Sequence, residues 1–210
     1  MNKEEIRKIV KREATLEMCR RDFFFYCKTL KPSFYVDAAK ESEHLKILCR
    51  TIQDFVFNDN EHDTLVVNMG PRHGKSFTIQ NFCSFYLGHN PLGHVAIGTY
   101  NETLSTTFSK DVRDTIQEEK SEDENVIVYS DIFPEIKIKK GYSAANIWSL
   151  DYPNAYNSYR STSPNGSSTG FPASLLIIDD LVRDFEDAFN AKSLEKQWNW
   201  YNNTMKSRLE

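Results

Sequence analysis

Apolar residues recur at spacings of three and four in the first quarter of the chain, at Ile6, Ile9 and Val10 and again at Leu45, Leu48, Ile52 and Phe55. That period predicts helices across residues 3–58, divided at Pro32. Between the two parts lies the aromatic run DFFFYCKTLKPSFY, which reads as core or as a packing surface between elements. From Asp63 the pattern changes. TLVVNM at 64–69 is a short apolar run suited to a strand buried on both faces; it leads into a turn rich in Gly and Pro, then a helix from Lys75 to about Leu87. HVAIGTY at 94–100 predicts a second such strand, with Asn101 as cap of a long helix reaching about Glu119.

The acidic run EEKSEDEN that follows reads as a solvated loop. IKIKK, NIWSL and YNSYRSTS, separated by Gly, Pro and Asn, predict a hairpin or meander insertion within 126–163. SPNGSSTGFP at 163–172 is a loop by composition, LLIIDD at 175–180 is the strongest buried-strand signal, and a helix rich in charges and Trp is expected from about Phe185 to Lys206. Alternation of strands and helices sets the class as α/β, a mostly parallel sheet flanked by helices. The expected organisation is an N-terminal helical segment over 1–60 and the sheet-containing core over 61–210.

A 40% hydrophobic content with 14 Phe and 10 Tyr excludes a disordered chain. The net charge of −4, from 26 basic and 30 acidic residues, removes a domain-wide basic footprint, so any nucleic-acid contact must come from a local patch. Two such patches are readable: Lys137, Lys139 and Lys140 beside Tyr142, and Lys3, Arg7, Lys8, Lys11 and Arg12 on the first helix. Each also reads as an ordinary solvated face. Cys19, Cys27, Cys49 and Cys83 form no C-x-x-C pair, so neither a zinc site nor a disulfide framework is indicated. The N-terminus lacks an apolar signal region and no run is long enough to span a bilayer, so no membrane association is expected.

Candidate chemistry concentrates in NMGPRHGKS. Gly70, Pro71, Arg72, His73, Gly74, Lys75 and Ser76 follow a predicted strand and open a predicted helix; this is the phosphate-cradle pattern G-x-x-x-x-G-K-[ST], with Met69 at the first glycine position. Gly74 lets backbone N–H groups approach phosphates, and the helix N-terminus adds partial positive charge. Lys75 reaches the β- and γ-phosphates, and Ser76 offers its hydroxyl to Mg²⁺. In LLIIDD two carboxylates follow four apolar residues and should lie at the C-terminal edge of a strand, where ligands bind in open α/β sheets. Asp179 is then the Mg²⁺-side acid and Asp180 the base that polarises a water.

Taken together, NMGPRHGKS, the segment HVAIGTYNETLSTTFSKDVRDTI, the turn SPNGSSTGFPASLLIIDDLV and the terminal WNWYNNTMKSRLE resemble the ATPase domain of large terminase subunits, the DNA-packaging motors of tailed bacteriophages. The resemblance runs from about Phe23 to Arg208. The phosphate loop carrying Pro-Arg-His and the G-x-x-T-G loop from Gly166 to Gly170 are its most specific parts. It implies a P-loop, RecA-like ATPase of the additional-strand class that binds ATP and Mg²⁺ and drives double-stranded DNA into a prohead. The portal protein, a small terminase subunit and a homo-oligomeric ring are the implied partners, and the host cytoplasm and the portal vertex the implied locations. Arg72 falls at the family's arginine inside the phosphate loop. Arg113, then Arg160, are candidates for an arginine donated in trans, and Phe34, Tyr35 and His44 for the adenine pocket.

Two features depart from the family. Its second acid is often Glu where this chain has Asp180, and its coupling-motif strand and nuclease domain would follow the segment matching Ser207–Leu209, where this chain ends at Glu210. The expected enzyme is therefore an ATP hydrolase, with nuclease activity only in a longer chain. A nucleotide-binding assembly module without turnover is an alternative, as is another P-loop NTPase such as a helicase. A small-molecule kinase would carry an arginine-rich acceptor lid, and no such cluster is present.

Overall fold

Asn2 opens the first helix with a reciprocal cap: its side chain accepts from the backbone N–H of Glu4 and Glu5, and the Glu5 carboxylate accepts from the Asn2 N–H at 2.7 Å. The computed structural model describes all residues except 1, 38, 39, 60, 124, 154, 155, 165, 167–169 and 210, and the side chains of all described residues except 37, 40 and 142. In chain order the elements are α1 (Lys3–Arg21), α2 (Phe23–Leu30), α3 (Pro32–Tyr35), β1 (Val36–Asp37), β2 (Lys40–Glu41), α4 (Glu43–Phe57), α5 (Lys75–His89), β3 (Val95–Gly98) and α6 (Glu102–Gln117). There follow α7 (Tyr129–Ile132), β4 (Ile138–Ser143), β5 (Ile147–Leu150), β6 (Tyr159–Thr162), β7 (Leu175–Ile178), α8 (Phe185–Ala188) and α9 (Ala191–Trp200), then a π-helical turn, Tyr201–Met205, and a 3₁₀ turn, Lys206–Arg208.

These elements divide into two compact units. The first holds Met1–Phe85 and Glu118–Pro134, the second Tyr86–Gln117 and Glu135–Glu210, so the division falls inside α5.

The first unit is helical and aromatic. The aromatic run does become core: Phe23, Phe24, Tyr26 and Cys27 of α2 are buried, and Phe23 meets Phe82 and Phe85 of α5 at ring separations of 5.0 and 5.2 Å. Tyr26 and Tyr129 are fully buried, and both hydroxyls are satisfied at Ser84, on its Oγ at 2.8 Å and its carbonyl at 3.0 Å. Leu45, Leu48 and Ile52 of α4 point inward, as their spacing predicts, and Pro32 occupies the first turn of α3, where its missing N–H costs nothing. In α1 the helix forms but its apolar period finds no core. Ile6, Ile9 and Val10 are exposed, and only Leu16 and Cys19 are buried.

A larger departure is the segment 64–70. It forms no strand, and Val66 is 84% exposed. An apolar run of this kind specifies a buried strand only when a neighbouring strand takes up its N–H and C=O groups, and among the described residues none does.

The second unit carries a five-stranded sheet in the order β4-β5-β6-β3-β7. β3 runs parallel to both β6 and β7, whereas β4 with β5 and β5 with β6 are antiparallel. Half the pairings are therefore parallel, a correction to the mostly parallel sheet expected. The cause is the insertion over 126–163, whose strands return by short connections that only antiparallel neighbours allow. α6 lies along β6, with Ser161 Oγ donating to the Ser105 carbonyl at 3.0 Å. The flat stack of Trp148 on Tyr159 at 4.6 Å fills the space beneath, and Trp148 Nε1 donates to Ser109 Oγ. A separate cluster of Ala96, Phe171, Ala173, Trp200 and Met205 packs with Leu176 and Ile178. Gly98 is required there, because a Cβ would stand 2.7 Å from the Trp200 ring.

The helix expected from Phe185 to Lys206 is interrupted at Phe189, where Asn190 starts α9 with its own cap. All four cysteines are free and buried. Among the described residues no helix is long and apolar enough to cross a membrane.

Candidate functional site

The residues expected to carry chemistry fall in both units. In the first, the turn over 71–74 runs straight into α5 at Lys75. Two of its residues are left-handed: Gly74 at φ +85° and Arg72 at φ +62°. Glycine adopts this backbone freely and arginine rarely does, so strain is held at Arg72. Gly74 is doubly constrained, since a Cβ would lie 2.9 Å from side-chain atoms of both Leu45 and Phe34.

The loop is closed from inside by His73, whose Nδ1 donates to the Pro71 carbonyl at 2.9 Å while its ring covers the Cα of Gly70. His44 of α4 stands edge-on to His73 at 6.0 Å. The start of α5 is then anchored: Thr78 N–H donates to the Gly74 carbonyl at 2.9 Å, and the buried Tyr35 hydroxyl donates to Thr78 Oγ1 at 3.1 Å. Burial pushes the Tyr35 hydroxyl well above its ordinary range, so it stays protonated as a donor. Of the three adenine-pocket candidates, Tyr35 is therefore committed to the core. Phe34 is 40% exposed and lies against Phe77 at 4.4 Å. Lys75 and Ser76 are half-buried at the helix start, and the Ser76 hydroxyl makes no hydrogen bond among the described residues.

In the second unit the parallel strands β6, β3 and β7 end together, with Thr162, Gly98 and Ile178 in register. Asp179 follows on β7; its N–H donates to the Gly98 carbonyl at 2.9 Å, and its residue is only 6% exposed. Asp180 is exposed and left-handed at φ +47°. One carboxylate is thus folded into the sheet edge while the next is turned out of it. The Thr99 hydroxyl donates to the Asn101 carbonyl and Asn101 Oδ1 caps α6 at Leu104 N–H, as its position predicts. Thr162 Oγ1 and Ser163 Oγ, also at this edge, are buried without a hydrogen-bond partner among the described residues. Sequence reasoning gave no sign of them, because Ser and Thr at a strand end look like any turn.

No protein-family model matches the chain, and no curated protein sequence matches it. The functional reading therefore rests on the residues themselves.

Arg113, on α6, donates from Nη1 to the carbonyls of Ser143 and Ala144 at 2.9 and 3.3 Å, tying the helix to the end of β4. Arg160 lies over the Phe171 ring at 4.8 Å. Within the G-x-x-T-G loop, Gly166 donates its N–H to the Ser163 carbonyl and Gly170 is left-handed at φ +75°, while 167–169 lie outside the described residues. Lys137 and Lys140 are exposed and Lys139 is half-buried; the Tyr142 side chain is not among those described. Among the described residues no three His, Cys, Asp or Glu side chains gather as a metal site.

Proposed function

We propose that this chain is a P-loop ATPase domain of the large-terminase type, a Mg²⁺-dependent ATP hydrolase with a RecA-like, additional-strand sheet. Its work would be to drive double-stranded DNA into a prohead. The observation that carries the reading is the turn over 71–74, left-handed at Arg72 and Gly74 and opening directly onto the fifteen-residue α5 at Lys75. Gly74 takes the left-handed backbone the turn needs, and the side chains of Leu45 and Phe34 stand where a Cβ would be.

In this reading the N–H groups at the start of α5 and the Lys75 ammonium bind the phosphates, and Arg72 meets the terminal one. Mg²⁺, when bound, would neutralise charge developing on the transferred phosphoryl group; this reading assigns the Ser76 hydroxyl of the first unit to it and, separately, the Asp179 carboxylate of the second. Asp180, turned out into solvent, accepts the proton of the attacking water. Arg113 is the arginine offered to a neighbouring subunit, in a homo-oligomeric ring that meets a portal protein and a small terminase subunit at the prohead vertex in the host cytoplasm.

A second reading, nucleotide binding without turnover, is favoured by one observation. The segment 64–70 that leads into the loop joins no strand.

The test is phosphate release from ATP with and without Mg²⁺, alongside calorimetric titration with ATP. The hydrolase reading expects Mg²⁺-dependent release that falls to background in Lys75→Ala with an unchanged melting curve. Release retained by Lys75→Ala sinks it, and binding without release selects the second reading.

A further inference from the structure

The first half of α1 has no covering surface. Leu16 and Cys19 in its second half are buried, whereas residues 3–11 are exposed all round the helix. Ile6, Ile9 and Val10 form an apolar strip at spacings of three and four, with Val10 61% exposed. Beside that strip Lys3, Arg7 and Lys11 follow one another at spacing four, a register in which like charges destabilise a helix. These three and Lys8 make no ion pair among the described residues. Apolar area and like-charge repulsion are thus held together on one projecting helix.

The same unit carries the complementary charge. Glu118, Glu119, Glu122 and Asp123 are exposed in the segment before α7. That segment flanks the middle of α1: Arg12 lines an open cavity of about 350 Å³ with Lys120, Ser121, Asp123, Val126 and Asp131, and Val126 is itself exposed. The helix carries its basic row away from these acids, since a rise of about 1.5 Å per residue places Lys3 about 13 Å beyond Arg12.

We propose that a second copy of this chain docks on the first half of α1, in a two-fold pair with the two helices antiparallel. In that arrangement Ile6, Ile9 and Val10 of each copy cover those of the other, and the row Lys3, Arg7, Lys8 and Lys11 of each meets the acidic segment 118–123 of the other. One surface, used twice, supplies both an apolar centre and a charged rim. A nucleic acid would take the basic row but leave the apolar strip in water, and an anionic bilayer would meet Glu4, Glu5 and Glu13 on the same helix. The pair needs neither ATP nor the phosphate loop, and its closed two-fold contact differs from the head-to-tail contact of a ring.

The test is the mass of the full chain by light scattering over a range of concentrations, at low and at high salt. A dimer is expected whose dissociation constant rises with salt. Arg7→Glu, Lys8→Glu and Lys11→Glu together reverse the row, and Glu119→Lys with Glu122→Lys reverses the segment. Each set should weaken the dimer about tenfold or more with the thermal midpoint unchanged, because every changed side chain is exposed. An equimolar mixture of the two sets should restore a mixed dimer, since each reversed surface then meets its complement. Ile9→Asp should weaken the dimer at high salt as well as low. A wild-type chain that stays monomeric overturns the proposal, whether or not it binds a DNA duplex or an anionic vesicle. So does a dimer that survives in both reversed sets, or a loss that mixing does not restore. Should either set lower the thermal midpoint, the single changes Arg7→Glu and Glu122→Lys, alone and mixed, decide the matter by the same outcomes.

Discussion

The loop over 70–76 and the carboxylate end of β7 illustrate two ways of holding a functional group. The loop is shaped by its own residues: left-handed backbone at Arg72 and Gly74, a histidine folded onto Gly70, and side chains of Leu45 and Phe34 filling the space behind. Asp179, by contrast, is held by a ladder. Its N–H bonds to Gly98 because β7 pairs in register with β3, and a slip of one residue would exchange it with Asp180. A locally built site is fragile to single backbone substitutions, whereas a ladder-built site is fragile to whatever holds the sheet together.

The largest expected effect tests the ladder. Trp148→Ala empties the fully buried stack against Tyr159 and should cost about 3–5 kcal/mol, read as a lower urea midpoint. A cost below about 1 kcal/mol would mean that the sheet holds its register without that core. Gly74→Ala probes the loop: the left-handed backbone and the 2.9 Å approaches to Leu45 and Phe34 should together cost about 1–3 kcal/mol, with ATP binding lost alongside. Binding retained in this variant would show that the loop tolerates a Cβ and that its local shape does not matter.

A smaller effect is expected at Asp131, in the first unit, where a carboxylate replaces a backbone device as the holding element. Its carboxyl accepts from the Val128 N–H and pairs with Lys120 at 2.9 Å and Arg12 at 3.0 Å. Burial alone would raise its pKa, but Lys120, the Val128 N–H and Arg12 outweigh that and hold it below the usual carboxylate range. Stability from this group is therefore complete above the unfolded value of about 4 and is lost as pH falls through the lower folded value. Asp131→Asn should remove about 1–2 kcal/mol at neutral pH and flatten the acid limb of the stability curve. An acid limb identical to that of the wild type would assign it to other carboxylates. The smallest effect belongs to Arg113→Ala, about 1 kcal/mol or less for two carbonyl contacts on a partly exposed side chain. Turnover lost with stability nearly intact would assign Arg113 to the reaction; turnover kept would leave it as a tie between α6 and β4.

Much of this was legible in the sequence, and the exceptions share a cause. The helices α1, α2, α4, α5 and α6 follow from period and caps, while the β1–β2 pair within the region expected to be helical does not, and Asn101 caps α6 where its place before an apolar helix indicates. The turn over 71–74 was readable from its Gly and Pro ahead of a helical stretch, although no strand precedes it among the described residues. What failed was any inference that needed a neighbour. TLVVNM looks like a strand but finds no partner to make it one, and Ile6, Ile9 and Val10 keep helical spacing without a surface to bury against. The insertion's antiparallel pairings, the half-exposed edge position of β7 and the unpartnered hydroxyls of Thr162 and Ser163 leave no periodic trace.

The sequence by itself determined where the backbone turns and which helices form, because these depend on dihedral preference and on neighbours within one or two turns. Only the tertiary structure decided that Asp179 is folded in while Asp180 is turned out, and that Tyr35 serves Thr78. It also placed arginines 48 positions apart, Arg160 and Arg208, on one phenylalanine. Those facts depend on strand register and on contacts between residues far apart in the chain, which no local pattern encodes.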